Sequence, residues 1–553
     1  MEEKIISMIT LLSPVLFALI AIGSRFQSGG KIPQIIQSIR IASFVSIIIA
    51  LSASLWVYYF GAFESPLIGI KEIGFSIRLD ALSLLMLSMI SILGAVIINF
   101  SFNYLDGDPR QGIFLGRLAA TLASVQLLVI SGNIGVLFIS WVMTSMTLHR
   151  LLLFYPERVR AQVAAKKKFV LARLGDVSLF LAFSFIYLEF GTGNLGEIFS
   201  TIQNAESIAG NSASLELSAL FLAIAAILKS ALFPTHGWLV EVMETPTPVS
   251  ALLHAGLLNA GPFLIIRMSF LMEASSIAPL VLMIMGGFTA LFASIVYLTQ
   301  PSVKTALGYS SIGHMGFSLM VCGLGVYSAA MLHLVAHSFY KAHSFLSSGS
   351  AIEALQGQKM IRIPKKVSLN SMIISFLLSS FTFLGIGLVW GVEFENELGL
   401  VVLSGIIVLG LAKLFNSAIS MNWNPDLFLK AFLISFTVSM AFFGLERGFH
   451  FLLQNQIPAL TNPSAGKLMI GTVLLLLFGI SIIIQMLSSN IHFSSYYRAW
   501  GVHFKNGLYA NIWFDRLLDS LSIIQESSLE TLPEQEAEKV KSEKESRLQE
   551  QWA

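Results

Sequence analysis

The sequence predicts an all-α polytopic membrane protein with about 15 transmembrane helices, on the rule that a span takes roughly 20 apolar residues. Two observations carry this. The chain is 55% hydrophobic and only 12% charged, with a mean hydropathy of +0.76, whereas a soluble domain carries about 25% charged residues. Apolar runs of spanning length also recur along the whole chain, at 5–22, 39–60, 81–102, 113–131, 134–153, 169–190, 215–233, 248–272, 277–299, 303–323, 328–348, 369–390, 398–420, 427–446 and 468–488. This excludes extracellular, nucleic-acid-binding and disordered classes. The 34 Lys+Arg and 32 Asp+Glu nearly cancel, so net charge points to no acidic partner. A single cysteine, Cys322, excludes an internal disulfide, a thiolate zinc site and an iron–sulfur cluster.

Taken in order, the first run follows Glu2, Glu3 and Lys4, lacks a small-residue cleavage site and precedes further spans, so it reads as a retained helix. Segment 62–80, with Pro66, Gly69 and Gly74, reads as an extracytoplasmic hairpin. Basic loops set the orientation. The loop after the fifth run carries Arg150, Arg158, Arg160, Lys166, Lys167, Lys168 and Arg173, and that after the eleventh carries Lys359, Arg362, Lys365 and Lys366. Opposite loops carry Glu189, Glu197, Glu206, Glu216, Glu393, Glu395 and Glu397. The N-terminus is therefore expected to be extracytoplasmic and the C-terminus cytoplasmic. Beyond 488, segment 496–524 is amphipathic and aromatic-rich but too short in apolar residues to span, which suits the membrane face or a partner. Residues 526–553, rich in Glu and broken by Pro533, read as a solvated, partly helical tail.

Ionisable groups inside apolar runs are costly, at about 2.5–3.5 kcal/mol on insertion scales, and mark functional candidates. Lys229 lies in such a run just before Pro234, His236 and Gly237. Proline breaks the helix there, and an amine at a helix break suits an ion pathway. His333, His337 and Lys341 recur every four residues and so share one helix stripe. Imidazoles exchange protons near neutral pH, so the stripe reads as a proton relay. Two histidines at this spacing can also hold zinc, but no carboxylate or thiol in that helix completes a metal set. His254 and His314 either extend the relay or are packing residues. Lys304 and Lys413 are further candidates, Lys304 alternatively being an interfacial anchor. Asp176, Glu241 and Glu244 are the carboxylates expected to partner the buried amines. No cofactor-binding motif and no catalytic site is legible in the chain.

The stretch KSALFPTHGWLVEVMETPTPVSALLHAGLLNAGPFLIIR (229–267) resembles the signature of the proton-translocating, antiporter-like subunits of respiratory complex I and of Mrp-type cation/proton antiporters. So do RLDALSLLML (78–87), KKFVLARLGDVSL (167–179), VKTALGYSSIGHMGF (303–317) and HLVAHSFYKAHSFLSSG (333–349). The resemblance implies two inverted five-helix repeats, formed by helices 4–8 and 9–13, each with a discontinuous helix, broken at Pro234 and around Gly385 and Gly387. It divides the chain into helices 1–3 with the hairpin (1–112), a first repeat (113–272), a second repeat (273–420), C-terminal helices (421–488) and the amphipathic segment with its tail (489–553). It places Lys229 as the helix 7 lysine, with His254, Lys304, His333, His337 and Lys341 on the polar axis. Three departures separate the chain from the large complex I subunit. Trp141-Val142 replaces a Trp-Glu pair, LGIGLVWG (384–391) lacks the helix 12 lysine, and the tail is too short and polar for a lateral helix.

The wording of SMTLHRLLLFYPERVRAQVAAKKKF (145–169), LLHAGLLNAGPF (252–263) and HFKNGLYANIWFDRL (503–517) is similar to the membrane-subunit branch of two-component inorganic-carbon (DAB) transporters. That resemblance implies a cytoplasmic DabA-like partner with a zinc site similar to that of a β-type carbonic anhydrase, docking on the face that includes 496–524. Cation flow, of protons, through this chain would make hydration of CO2 to bicarbonate in the partner one-way. It further implies a bacterial inner-membrane location, with zinc in the partner and no cofactor here. The alternatives are a subunit of a redox-driven pump such as complex I or a membrane-bound hydrogenase, and an Mrp-type cation/proton antiporter.

Overall fold

The computed structural model describes residues 2–26, 33–204, 212–349, 367–393, 397–420, 425–460, 463–487 and 494–520. Lipid offers no hydrogen bonds, so an apolar run must satisfy its backbone internally. The apolar runs read from the sequence are accordingly helical over most of their described length. The first half comprises α1 (Glu2–Gly23), α2 (Pro33–Phe60), α3 (Ala81–Tyr104), α4 (Gln111–Val129), α5 (Ile134–Leu152), α6 (Val159–Phe190), the short α7 (Leu195–Asn204) and α8 (Ala213–Lys229). After a break come α9 (Gly237–Glu241), α10 (Thr247–Leu252), a π-helical turn (Leu253–Leu257), α11 (Ala260–Arg267) and α12 (Ser269–Glu273). The second half has α13 (Ala278–Tyr297), α14 (Val303–Gly323), α15 (Tyr327–Leu346), α16 (Leu369–Val389), α17 (Leu398–Ser420), α18 (Pro425–Leu453) and α19 (Ala465–Met486). Two short helices close the described chain, α20 (Ser495–Lys505) and α21 (Ala510–Ser520).

Among the described residues, 12 helical segments are long and apolar enough to cross a membrane. The helices α8, α14 and α15 fall outside that set. They carry Lys229, His314 and the His333–Lys341 stripe, and α8 falls outside because it ends at Lys229 after only 17 residues. In its most apolar window the Thr247–Arg267 stretch is 94% buried, against 17% for α19. The broken stretch is therefore the axis of the molecule. Large apolar side chains exposed on α2, α16 and α19, among them Phe44, Leu51, Leu377, Phe381 and Leu476, form a surface suited to lipid.

Segment 62–80 forms two antiparallel pairs, β1 (Phe63–Glu64) with β4 (Arg78–Leu79) and β2 (Ile68–Ile70) with β3 (Ile73–Phe75). Lys71 and Glu72 both take positive φ, 49° and 61°, which is the two-residue turn that matches strand twist. The hairpin is tied to the axis by charge. Asp80 caps α3 through Ser83 N at 2.8 Å and accepts from Arg267 Nη1 and Nη2 at 2.6 and 3.1 Å and from Arg78 Nε at 2.8 Å. Burial alone would raise the Asp80 carboxyl, but Arg267 and Arg78 hold it well below the usual carboxylate range.

Glu64 lies 3.4 Å from Arg78, yet burial pushes its carboxyl up to about 7, from 4.5, with Arg78 opposing. A raised folded value means that the protonated form is favoured on folding. Its contribution is present below pH 4.5 and is lost as pH rises from 4.5 to about 7. The loss is on the order of 2–3 kcal/mol at most. Glu64→Gln is therefore expected to reduce the drop in thermal stability between pH 5 and pH 8, measured by unfolding in detergent at both values.

Two expectations are corrected. No break occurs at Gly385 and Gly387, because α16 runs unbroken to Val389. Glycine costs a helix only about 1 kcal/mol, and without proline in that segment the apolar surroundings keep the ladder closed. The basic stretch after α5 is also not a long loop. Helix α6 begins at Val159, so Lys166, Lys167, Lys168 and Arg173 are helical, and Lys167 and Lys168 are nearly buried. Glu206, Lys359, Arg362, Lys365, Lys366, Glu395, residues 521–524 and the tail 526–553 lie outside the described residues.

Candidate functional site

Helix α8 ends at Lys229, and the next helical turn begins only at Gly237. The backbone between them is held by tertiary bonds. Phe233 N donates to Thr289 Oγ1 at 3.2 Å, and Ser230 Oγ donates to Leu258 O at 3.3 Å. The break expected at Pro234 is thus present, and it leaves the Lys229 amine at a helix end inside the bundle. Lys229 Nζ donates to the Trp141 carbonyl at 3.3 Å and sits 4.2 Å from the centre of the Trp141 ring. It shares a cavity of about 20 Å³ with Thr144, Ser145, Lys168 and Trp238, a volume that admits a water molecule.

The expected carboxylates do not pair with it. Asp176 lies 2.6 Å from Arg173 Nη2, one turn away on α6. Glu241 accepts from Lys167 at 2.7 Å, and Lys167 also lies 2.6 Å from Asp515 on α21. Among the described residues neither Lys229 nor Lys341 has a carboxylate within ion-pair distance. Each carboxylate is held by a nearer cation, Asp176 by Arg173 and Glu241 by Lys167. The side chain of Glu244 lies outside the described residues. Through Asp515, and through Asn511 packed on Gly237 so closely that no Cβ fits, α21 covers the outer end of the break. The amphipathic segment thus folds onto its own chain while leaving Tyr496, Trp500 and Trp513 exposed.

The second cluster gathers three elements. The α15 stripe places His333, His337 and Lys341 in one row, and α14 adds His314, whose Nδ1 is 3.2 Å from His333 Nε2. The His314 and His337 rings are 4.6 Å apart, and those of His333 and His337 are 5.9 Å apart. Lys341 Nζ donates to Leu307 O at 3.2 Å. His254 lies in the π-helical turn, a feature that recurs at functional sites, and stacks on Phe345 at 4.3 Å. His337 lies in the electrostatic field of His314, His333, Lys341 and His254. The ring nitrogens of His254 and His337 are buried and have no hydrogen-bond partner among the described residues. No group of three or more His, Cys, Asp or Glu side chains among these residues converges as metal ligands would.

Two residues unremarked in the sequence lie between the clusters. Asn259 Nδ2 donates to Ser338 Oγ at 2.7 Å, and Asn259 adjoins Leu258, which accepts from Ser230 beside Lys229. Both are fully buried. Ser338 follows His337, so its place on the stripe's edge was the available signal; nothing local marked Asn259. Lys304 Nζ is 3.5 Å from Thr247 Oγ1, at the start of α10. The structure does not bring Lys413 to the row: its amine donates to Gln485 on α19 at 2.7 Å. Beyond His314 and His333 lies a cavity of about 690 Å³, whose walls are otherwise mostly apolar side chains of α13–α15 and α17–α19. Imidazoles as close as those of His314, His333 and His337 can exchange protons.

Known proteins resemble the chain in sequence and in fold. Residues 131–420 match the family described as NADH:quinone oxidoreductase/Mrp antiporter, TM, and residues 68–115 match NADH-Ubiquinone oxidoreductase (complex I), chain 5 N-terminus. The chain is 35% identical over 458 residues to the probable inorganic carbon transporter subunit DabB2 of Halothiobacillus neapolitanus, covering 81% of each chain. It is 39% identical over 287 residues to the probable inorganic carbon transporter subunit DabB of Hydrogenovibrio crunogenus, 52% of this chain and 55% of that one. It is 37% identical over 289 residues to NADH-ubiquinone oxidoreductase chain 5 of Metridium senile, 52% and 47% of the two chains. A chain in the structure of the Mrp complex from Dietzia sp. DQ12-45-1b shares the fold, with a TM-score of 0.60 at 18% identity over 96% of this chain and 60% of that one. The chain therefore belongs to the NADH:quinone oxidoreductase/Mrp antiporter membrane family, with DabB inorganic carbon transporter subunits among its relatives.

Proposed function

We propose that this chain is the proton-conducting membrane subunit of a two-component inorganic-carbon uptake complex in a bacterial inner membrane. In this reading protons enter near Lys304 and Lys229, pass the Ser230–Leu258 and Asn259–Ser338 contacts, and reach Lys341, His337 and the His314–His333 pair, with His254 alongside. Their flow drives hydration of CO2 to bicarbonate in a DabA-like partner that holds zinc and docks on the cytoplasmic face, where Tyr496, Trp500 and Trp513 are exposed. The N-terminus is extracytoplasmic and the C-terminus cytoplasmic. The observation that carries the carbon-uptake reading is the extent of likeness. It runs over 81% of both chains for the DabB2 relative, whereas the DabB relative and the complex I relative each match over about half.

The chain itself supplies transport, and the hydration chemistry belongs to the partner. Gentle purification from native membranes, with mass spectrometry of the accompanying chains and metal analysis, tests the assignment. A single large soluble partner carrying zinc is the expected result. Iron–sulfur proteins in its place would move the chain to a redox pump.

A further inference from the structure

We propose that Lys168 is a second proton-carrying amine, exchanging one shared proton with Lys229 across the water-sized cavity that both line. The proposal rests on the reading of Lys229 as a proton carrier. Lys168 stands beside Lys167 on α6, yet the two are used oppositely. Lys167 faces two carboxylates, Glu241 and Asp515, at 2.7 and 2.6 Å. Lys168 turns inward, is 5% exposed, and donates only to neutral groups, Ser145 O at 2.7 Å and Ser145 Oγ at 3.0 Å.

The charge surrounding the pair is accounted for. On α6, Arg173 and Asp176 lie 2.6 Å apart, and both act on Lys168 and Lys229 through space, Asp176 more than Arg173 at Lys229. On α5, His149 is the titratable neighbour of Lys168, and Trp141, which meets Lys229, is followed by the uncharged Val142. The stretch from α9 to α11 contributes Trp238, Leu253, Leu257 and Leu258 to the cavity wall. Among the described residues no carboxylate lies within ion-pair distance of either amine around this cavity of about 20 Å³. Like charges so placed favour a state in which only one of them is ionised. A lysine on each side of one water is then a two-position switch. The Lys168 ammonium gives a proton to the water, which passes one of its own to the Lys229 amine. Lys168 is left neutral, Lys229 becomes the ammonium, and the charge of the pair is unchanged.

The test uses the whole complex in vesicles, with proton flux under an imposed pH gradient followed by an internal pH dye. Lys168→Met is expected to lower flux about 100-fold, the lower range for a lost proton-transfer group. Lys168→Arg should do the same, because guanidinium keeps its proton at any working pH. The Lys168→Met, Lys229→Met pair should be no slower than Lys229→Met alone, since both remove one step. Should Lys168→Met fail to assemble, Lys168→Gln, which keeps a donor for Ser145, replaces it. Wild-type flux in Lys168→Arg would overturn the proposal by showing that a fixed charge suffices, and wild-type flux in Lys168→Met or Lys168→Gln would show the amine to be dispensable. Equal flux in wild type and Lys229→Met would overturn the reading of Lys229 itself, and the pair with it.

Discussion

Lys229→Met is expected to abolish carbon-dependent growth and proton flux, by about 100-fold or more as for other lost proton-transfer groups, while leaving the complex assembled. The separation of the two effects follows from the geometry. The amine makes a single 3.3 Å hydrogen bond to Trp141 O and a contact with the Trp141 ring. Losing the ring contact costs about 0.5–2 kcal/mol, and Met fills the remaining space with an apolar chain of similar length. No ion pair is broken, because the nearby Asp176 lies against Arg173. His337→Ala should behave alike at the far end of the row, since its ring lies against His314 and its nitrogens carry no structural hydrogen bond among the described residues. Growth at low CO2, with co-purification of the partner as the assembly control, checks both variants.

Arg267→Ala is expected to have the largest effect on stability. Arg267 is 2% exposed, and it grips Asp80, which is fully buried, with both terminal nitrogens. Removing one member of such a pair costs about 3–5 kcal/mol, here toward the lower end because Arg78 still faces Asp80 at 2.8 Å. The damage should spread because Asp80 also caps α3 and holds Arg78 of the hairpin. Replacing both partners, as Asp80→Asn with Arg267→Met, should restore part of the loss, because no charge is then left unpaired. Thermal unfolding in detergent, read as monodispersity on size-exclusion chromatography, distinguishes the single from the double variant.

The helices were legible because lipid permits apolar runs only one backbone solution, and period-four spacing sufficed to align His333, His337 and Lys341. The break at Pro234 followed from the missing backbone donor, whereas Gly385 and Gly387 misled because glycine permits a break without enforcing one. Lys168 was hidden within a basic stretch that resembles a solvated loop. Only the phase of α6 separates its inward side chain from the paired Lys167. The partners of Asp176 and Glu241 were equally illegible, since ion pairing depends on which cation the fold brings within about 3 Å. Asn259 and Ser338 carry no charge and sit in ordinary helical sequence, and their role as a bridge arises from the packing of the axis against α15.

The central claim is that protons crossing through Lys229 are spent on inorganic carbon, and the most direct measurement is proton entry into vesicles carrying the purified complex, with and without added CO2. CO2 should accelerate proton entry in the wild type and have no effect in Lys229→Met. Proton entry that is indifferent to CO2, or that requires sodium, would contradict the account.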